Sequence, residues 1–514
     1  MRRKRLAPLL ATAGLIATSL PLLAVTQATA APAGRYLDQK PEWQRCSPDQ
    51  PESLECATLK VPLDYQRPDG PTIDLAISRI KSTDPAKRRG VLLINPGGPG
   101  APGLDWPLIN TKNSLPKDVR DQYDLIGFDP RGVGKSSPIS CELTGDNDFE
   151  QPYRPETFDS DVARAKTVAD ECRENAGEAL PYITTRNTAR DMDTIREVLG
   201  EKKISYMGFS YGTYLGAVYS QMFPKQTDRF VLDSGVDPGR VWRGMQQVWA
   251  TESEPAFTRW TKWAAERNAE CGLGDSPKAV SDTFWALVAR ADKEPIKIDS
   301  RYWPAETTGD DIRRATRGQV FYPSSFSEMF AMLKAAAEGK PMPAGTDPAK
   351  LKKLLDGDTA GDPTGWGGED EQFWPVLCGD AAWPDSPEQY AKDAARDKKA
   401  YPLYGDIASN IKPCAFWDKP LEAPTPMNKE AKVLILQNEW DSQTPLASGQ
   451  GLHRALKGSR MVTVAGGEGH LAYLGGSCAN APANTYLATG RLPDEDMTCT
   501  NPAGGTSEHQ ENTP

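Results

Sequence analysis

Gly208-Phe209-Ser210-Tyr211-Gly212 reads G-x-S-x-G and lies between the strand-like run ISYMGF and the helix-like run TYLGAVYSQMF. A serine on so tight a strand-to-helix turn would have an exposed, strained position suited to a nucleophile. Residues two before and two after it must be small, or side chains would collide across the turn; Gly208 and Gly212 meet that need. Such a serine needs a base, and the chain has 3 histidines. His509 sits in a polar tail and His453 in the helix-like stretch SGQGLHRALKG, whereas His470 ends VTVAGGEGH, just past a strand in a glycine-rich loop. We therefore expect His470 to accept the Ser210 proton and return it to the leaving group. An acid should orient that imidazole. KVLILQNEWDSQTP offers two carboxylates; Asp441 is preferred because it follows the strand in a turn ended by Thr444-Pro445, and Glu439 competes with it. Two N–H donors must face the developing oxyanion. Tyr211 supplies one, and the loop Asn95-Pro96-Gly97-Gly98-Pro99-Gly100 after VLLI supplies the other. Prolines have no N–H, so Gly98 is the expected donor, with Gly97 second.

These groups must be held by a scaffold. Short apolar runs at 91–98, 123–129, 203–210, 229–235, 432–438 and 460–467 read as buried strands. Runs of this kind suit a parallel sheet covered on both faces. Helix-like stretches alternate with them; in TARDMDTIREVLG (188–200) Met192, Ile195 and Leu199 share a face and Gly200 gives a stop. The alternation argues an α/β fold. It breaks at residues 237–430, a mostly helical pattern rich in Trp, Lys, Ala and Glu, read as a cap inserted between two strands of one sheet.

Residues 1–30 differ from the rest. MRRKR, an apolar stretch and Ala28-Thr29-Ala30 together form the pattern of a secretory signal peptide cleaved near Ala30. All 9 cysteines follow it. In an exported protein several should be disulfides; proximity suggests Cys46–Cys56, Cys141–Cys172, Cys378–Cys414 and Cys478–Cys499, with Cys271 left over. No C-x-x-C and no H-E-x-x-H occurs, so no metal site is expected. A net charge of −10 without a basic run argues against nucleic-acid binding. Beyond the leader no segment is apolar enough to span a bilayer, so no stable membrane association is expected, and the chain reads as a monomer.

INPGGPGAPG, IGFDPRGVGKSS, YMGFSYGTYLG, NEWDSQTP and GGEGH, taken together, resemble the secreted tripeptidyl aminopeptidases, serine exopeptidases of the proline iminopeptidase group within the α/β-hydrolases. Pro96 stands where related proline iminopeptidases typically have histidine in H-G-G-P-G. The resemblance implies an α/β-hydrolase fold with a mainly parallel sheet and a large, mostly helical cap. Leader pattern, strand–helix alternation and tail polarity divide the chain into a leader (1–30), core (31–236), cap (237–430), core (431–499) and a disordered tail (500–514). The resemblance also implies Ser210, Asp441 and His470 as a triad, no cofactor, and peptide substrates cut a fixed distance from a free amino terminus. A site that binds a cationic amine needs acidic groups; Asp380, Glu371 and Glu439 are candidates, with Glu369 and Asp370 beside them. Trp374 and Trp383 could line the same cleft, although core packing is the commoner role for such residues. An esterase or lipase-like hydrolase, or a proline iminopeptidase, could use the same elbow.

Overall fold

The computed structural model describes residues 36–144, 149–298, 303–340 and 372–501. The leader, Glu369, Asp370, Glu371 and the tail from residue 502 onward lie outside the described residues.

A ten-stranded sheet organises the chain. Its strands are β1 (Gln44–Arg45), β2 (Glu55–Pro62), β3 (Thr72–Ile80), β4 (Gly90–Asn95), β5 (Tyr123–Phe128), β6 (Ile204–Phe209), β7 (Thr227–Asp233), β10 (Val433–Trp440), β11 (Arg460–Glu468) and β12 (Met497–Thr500). A two-stranded ribbon, β8 (Ile296–Lys297) with β9 (Glu306–Thr307), stands apart. The spatial order is β1-β2-β3-β5-β4-β6-β7-β10-β11-β12. From β5 to β12 every pairing is parallel; β1, β2 and β3 join antiparallel at one edge.

The parallel strands are apolar on both faces because helices cover both. Period-two alternation sorts their side chains between two cores. Val91, Leu93, Tyr206, Leu232, Val433 and Ile435 face one core, which also takes in the helices Phe158–Asn175, Thr185–Val198 and Tyr211–Met222. Leu92, Ile94, Met207, Val231, Leu434 and Leu436 face the other, beneath the helices Lys117–Arg120 and Asn480–Thr489. The expected strands are present with ends shifted by a few residues. The antiparallel edge and β12 are additions, and Thr500, read as the start of the tail, ends β12.

Between β7 and β10 the described residues are mainly helical, with Arg243–Glu266, Pro277–Ala291, Gly309–Gln319, Pro323–Ala337, Phe373–Asp380 and Pro387–Ala400 as the longer helices among them. This insertion clusters with the sheet as part of one compact unit. Trp374 packs edge-on against Phe149 and Phe373 and is buried in the core, so it is not a cleft residue, while Trp383 is half-buried beside Trp242 and Arg243. The four disulfides are Cys46–Cys56, Cys141–Cys172, Cys378–Cys414 and Cys478–Cys499, and Cys271 is the free cysteine.

Candidate active site

Ser210 is the one residue between β6 and the helix Tyr211–Met222, with φ 55° and ψ −123°. This is a conformation that non-glycine residues rarely adopt, and its cost is carried by the surrounding packing. A Cβ on Gly208 would lie 2.4 Å from the Gly212 carbonyl oxygen, and one on Gly212 would lie 2.8 Å from Asn95 Oδ1. Both glycines are therefore dictated by close approach. The turn is tied down by the Ser210 N–H donating to the Asp233 carbonyl at 2.9 Å and the Tyr206 hydroxyl donating to the Gly212 carbonyl at 2.8 Å.

The loop after β4 lies against this turn. A Cβ on Gly97 would be 3.0 Å from Ser210 Cβ and 3.2 Å from the Tyr211 nitrogen. The Gly97 N–H donates to Asn95 Oδ1 at 3.1 Å and is thereby committed. The Gly98 N–H donates to no described residue. Tyr211 opens its helix, so its N–H precedes the intrahelical ladder. Asp129, from the GFDPRG stretch, holds the far end of the loop. Its Oδ1 accepts from Gly103 and Leu104 N–H at 2.8 and 3.2 Å, and its Oδ2 accepts from Lys135 N–H at 2.8 Å. Burial raises the Asp129 carboxyl above its ordinary range, against those three backbone donors. In the sequence this aspartate stands out only as part of the stretch IGFDPRGVGKSS.

Asp441 is buried directly after β10. Its Oδ1 accepts from the Gln443 and Thr444 N–H groups at 2.8 and 2.9 Å, and its Oδ2 accepts from the Thr444 hydroxyl at 3.0 Å. His470 Nδ1 lies 2.9 Å from Oδ1 and 3.0 Å from Oδ2. An Nδ1–H donated to this carboxylate leaves Nε2 as the basic nitrogen. Glu439 is elsewhere: its Oε2 accepts the Gly466 N–H on β11 at 2.7 Å. His453 contacts Ser459 and Asp496, away from Asp441.

The loop carrying His470 is gripped on both sides. Before it, Asn438 Nδ2 donates to the Gly469 carbonyl at 2.9 Å and Gly469 N–H to the Trp440 carbonyl at 3.0 Å. After it, Leu471 N–H donates to Ser234 Oγ at 3.0 Å, Ala472 N–H to Asp233 Oδ1 at 3.0 Å and Tyr473 N–H to Asp233 Oδ2 at 2.8 Å. Sequence reasoning missed Asp233 and Ser234. They end a strand in the same way Ser210 and Asp441 do, which is the signal that could have found them.

The insertion reaches the acid's turn. Trp249 Nε1 donates to the Gln443 carbonyl at 2.7 Å, and Arg317 Nη1 donates to Gln443 Oε1 at 2.8 Å. Arg317 also stacks over the Trp249 ring at 4.6 Å. Beside the base loop, Arg259 pairs with Glu468 and lies over the Trp440 ring at 4.5 Å. Asp380 is buried with three donors on its carboxylate: Thr185 N–H at 2.7 Å, the Thr185 hydroxyl at 2.5 Å and Trp242 Nε1 at 3.1 Å. Burial pushes its carboxyl up to about 6, and those donors pull against it. The Thr185 hydroxyl is also 2.8 Å from the Tyr211 hydroxyl, so Asp380 fixes the insertion to the first residue after Ser210. These bonds tie the Asp380 carboxylate into the fold, with one donor on Oδ1 and two on Oδ2.

Among the described residues no group of three or more His, Cys, Asp or Glu side chains could hold a metal ion, and no helix is long and apolar enough to cross a membrane. A strained serine, two N–H groups beside it, and an aspartate–histidine pair at the same sheet edge are the parts required for acyl transfer.

Residues 401–499, which carry Asp441 and His470, match the family model described as TAP-like protein. The chain is 35% identical over 486 residues to the tripeptidyl aminopeptidase of Streptomyces lividans, covering 89% of this chain and 86% of that one. It is 28% identical to serine protease Hip1 of Mycobacterium tuberculosis, over 90% of this chain and 91% of the relative. Carboxylesterase B of Mycobacterium tuberculosis is also 28% identical, over 97% and 99%. With the sheet order, the elbow and this similarity in hand, the chain belongs to the tripeptidyl aminopeptidase family and is a serine hydrolase of the α/β-hydrolase fold.

Proposed function

We propose that this protein is an exported exopeptidase that releases tripeptides from free amino termini through a Ser210 acyl-enzyme. His470 Nε2 takes the proton as Ser210 Oγ attacks the scissile carbonyl. The Gly98 and Tyr211 N–H groups receive the oxyanion. His470 then protonates the departing amine, and water repeats the sequence to free the acid. Asp441 keeps Nδ1 protonated and stabilises the imidazolium. The observation that carries this reading is the Asp441–His470 contact at 2.9 Å, two strands from the Ser210 elbow.

The insertion, residues 237–430, acts as a cap that limits how much peptide enters. Asp380, with three donors on its carboxylate, Glu439, with the Gly466 N–H on its own, and Glu371 are the candidate ligands for the substrate amine. The Gln372 Cβ is 3.3 Å from where a Cβ on Gly100 would stand, so Gln372 adjoins the oxyanion loop. Four disulfides fit export to an oxidising compartment after cleavage near Ala30. The protein acts as a monomer.

A panel of free and N-acylated tripeptide anilides, proline anilide and short aryl esters tests the reading. Free tripeptide anilides should be turned over fastest. Equal turnover of blocked peptides would sink the exopeptidase, and ester cleavage without amide cleavage would favour the esterase. Ser210→Ala should abolish labelling by a fluorophosphonate. Asp441→Asn should lose activity by about 10⁴-fold, whereas Glu439→Gln should lose little.

A further inference from the structure

Asp233 ends β7, the strand between β6 and β10, and it touches both sides of the reaction. Its carbonyl accepts the Ser210 N–H at 2.9 Å. Its two carboxylate oxygens accept the Ala472 and Tyr473 N–H groups, two and three residues past His470, at 3.0 and 2.8 Å. Ser234, the next residue, accepts the Leu471 N–H at 3.0 Å. Leu471 and Ser234 both hold positive φ, at 73° and 66°. Three successive N–H groups directly after the histidine therefore point at one dipeptide, in a strained pair of turns that packing alone would not favour.

We propose that Asp233 is a positioning residue that sets the separation of Ser210 and His470, holding the nucleophile's turn through its main chain and the base's loop through its carboxylate. The inference rests on the Ser210–His470 reading above.

The chemistry favours a carboxylate at this position. An ionised Asp233 presents two acceptors to two N–H donors; an asparagine would present one acceptor and one donor, and its NH₂ would oppose an N–H. Charge-assisted bonds to backbone N–H are also about twice as strong as neutral ones. The carboxylate is fully buried, and burial pushes it up to about 6, offset by the Tyr473 and Ala472 N–H groups and by His470, while Asp441 pushes the same way as burial. Asp233 is thus ionised at pH 7.5. The charged and titratable groups facing it are His470 and Asp441, with the Tyr473 phenol on the same loop. A second anion near the imidazole favours its protonated form.

The test uses the full mature chain with Asp233→Asn and Ser234→Ala, read by kcat, KM, the pH dependence of kcat/KM, and the melting temperature. Misplacement of catalytic groups by about 1 Å can cost about 10²-fold. We expect Asp233→Asn to lower kcat by about that factor with KM within about threefold, and to move the acid limb of kcat/KM to lower pH. A residue that only supports the fold would lower the melting temperature and leave the acid limb in place. Wild-type kcat and an unmoved acid limb would overturn the proposal. Should Asp233→Asn fail to fold, Ser234→Ala decides: it removes the Leu471 acceptor and the hydroxyl that donates to Asp233 Oδ1 at 3.4 Å, and should lower kcat about tenfold, while full activity would overturn the proposal. Activity surviving in Ser210→Ala or His470→Ala would instead sink the parent assignment, independently of Asp233.

Discussion

The guanidinium of Arg317 lies 2.8 Å from the side-chain oxygen of Gln443, two residues beyond Asp441. Trp249, under the same guanidinium, donates to the main-chain carbonyl of Gln443 at 2.7 Å. The turn that presents the aspartate to His470 is therefore held from the insertion as well as from the sheet. Asp441 in turn binds the Gln443 N–H, so a shift at Gln443 is passed directly to the carboxylate.

Arg317→Lys keeps the charge but loses the planar fork and the stacking. Trp249→Phe keeps the ring and loses the N–H. Each should lower stability by about 1 kcal/mol and kcat by several-fold. Because both act on one turn, the double variant should cost less than the two singles combined. Thermal melts and steady-state kinetics on the three variants check this; strict additivity would argue against a shared turn.

Gly97 has φ 106°, and a Cβ there would lie 2.5 Å from the Phe209 carbonyl oxygen and 3.0 Å from Ser210 Cβ. Gly97→Ala should therefore force the oxyanion loop off the elbow and reduce kcat by about 10²-fold or more. Gly177→Ala is the control. It also has positive φ, at 55°, but no atom lies within 4 Å of the added methyl. It should cost about 1 kcal/mol of stability and leave kcat unchanged.

Asp380 gives a pH dependence of stability. Its carboxyl is raised from 3.8 to about 6 in the folded protein, chiefly by burial. Between those values the folded state holds the proton more tightly than the unfolded chain, so this residue's contribution is complete below about pH 4 and is lost as pH rises through about 6. The span corresponds to roughly 3 kcal/mol. Relative to wild type, Asp380→Asn should therefore gain stability as pH rises from 4 to 6. Calorimetric melts of both proteins at each pH measure the difference; a constant offset would contradict it.

Cys378–Cys414 closes a separation of 36 residues and anchors the helix that ends in Asp380. Replacing both cysteines by serine should lower stability by about 3–4 kcal/mol from the freed unfolded chain. Denaturant titration reads this as a lower midpoint. The pH dependence assigned to Asp380 should persist in the same protein.

Much of the site was legible in the sequence because the information there is local. A serine between two glycines at a strand-to-helix boundary needs only its neighbours to be recognised. Pro96 and Pro99 exclude themselves as donors by lacking an N–H. The buried parallel strands show as continuous apolar runs, whereas β2 and β3 at the antiparallel edge, with their charged and exposed positions, gave no such run. The four disulfide pairs followed proximity along the chain, since each closes between 10 and 36 residues.

Which carboxylate meets which partner was decided only by tertiary structure. Glu439 and Asp441 are two residues apart, and a register irregularity lies between Asn438 and Trp440. That geometry turns Glu439 onto Gly466 of the adjoining strand and leaves Asp441 with His470. Asp380 reads as a cleft acid in sequence, and only the fold puts Thr185 and Trp242 on its carboxylate. Asp233 carried no motif at all, because its significance depends on β7 lying beside β6 and next to the loop after β11. The sequence determined which residue types stand at the ends of strands. The order of those strands in space, set by packing between segments hundreds of residues apart, decided which of them hydrogen-bond to one another.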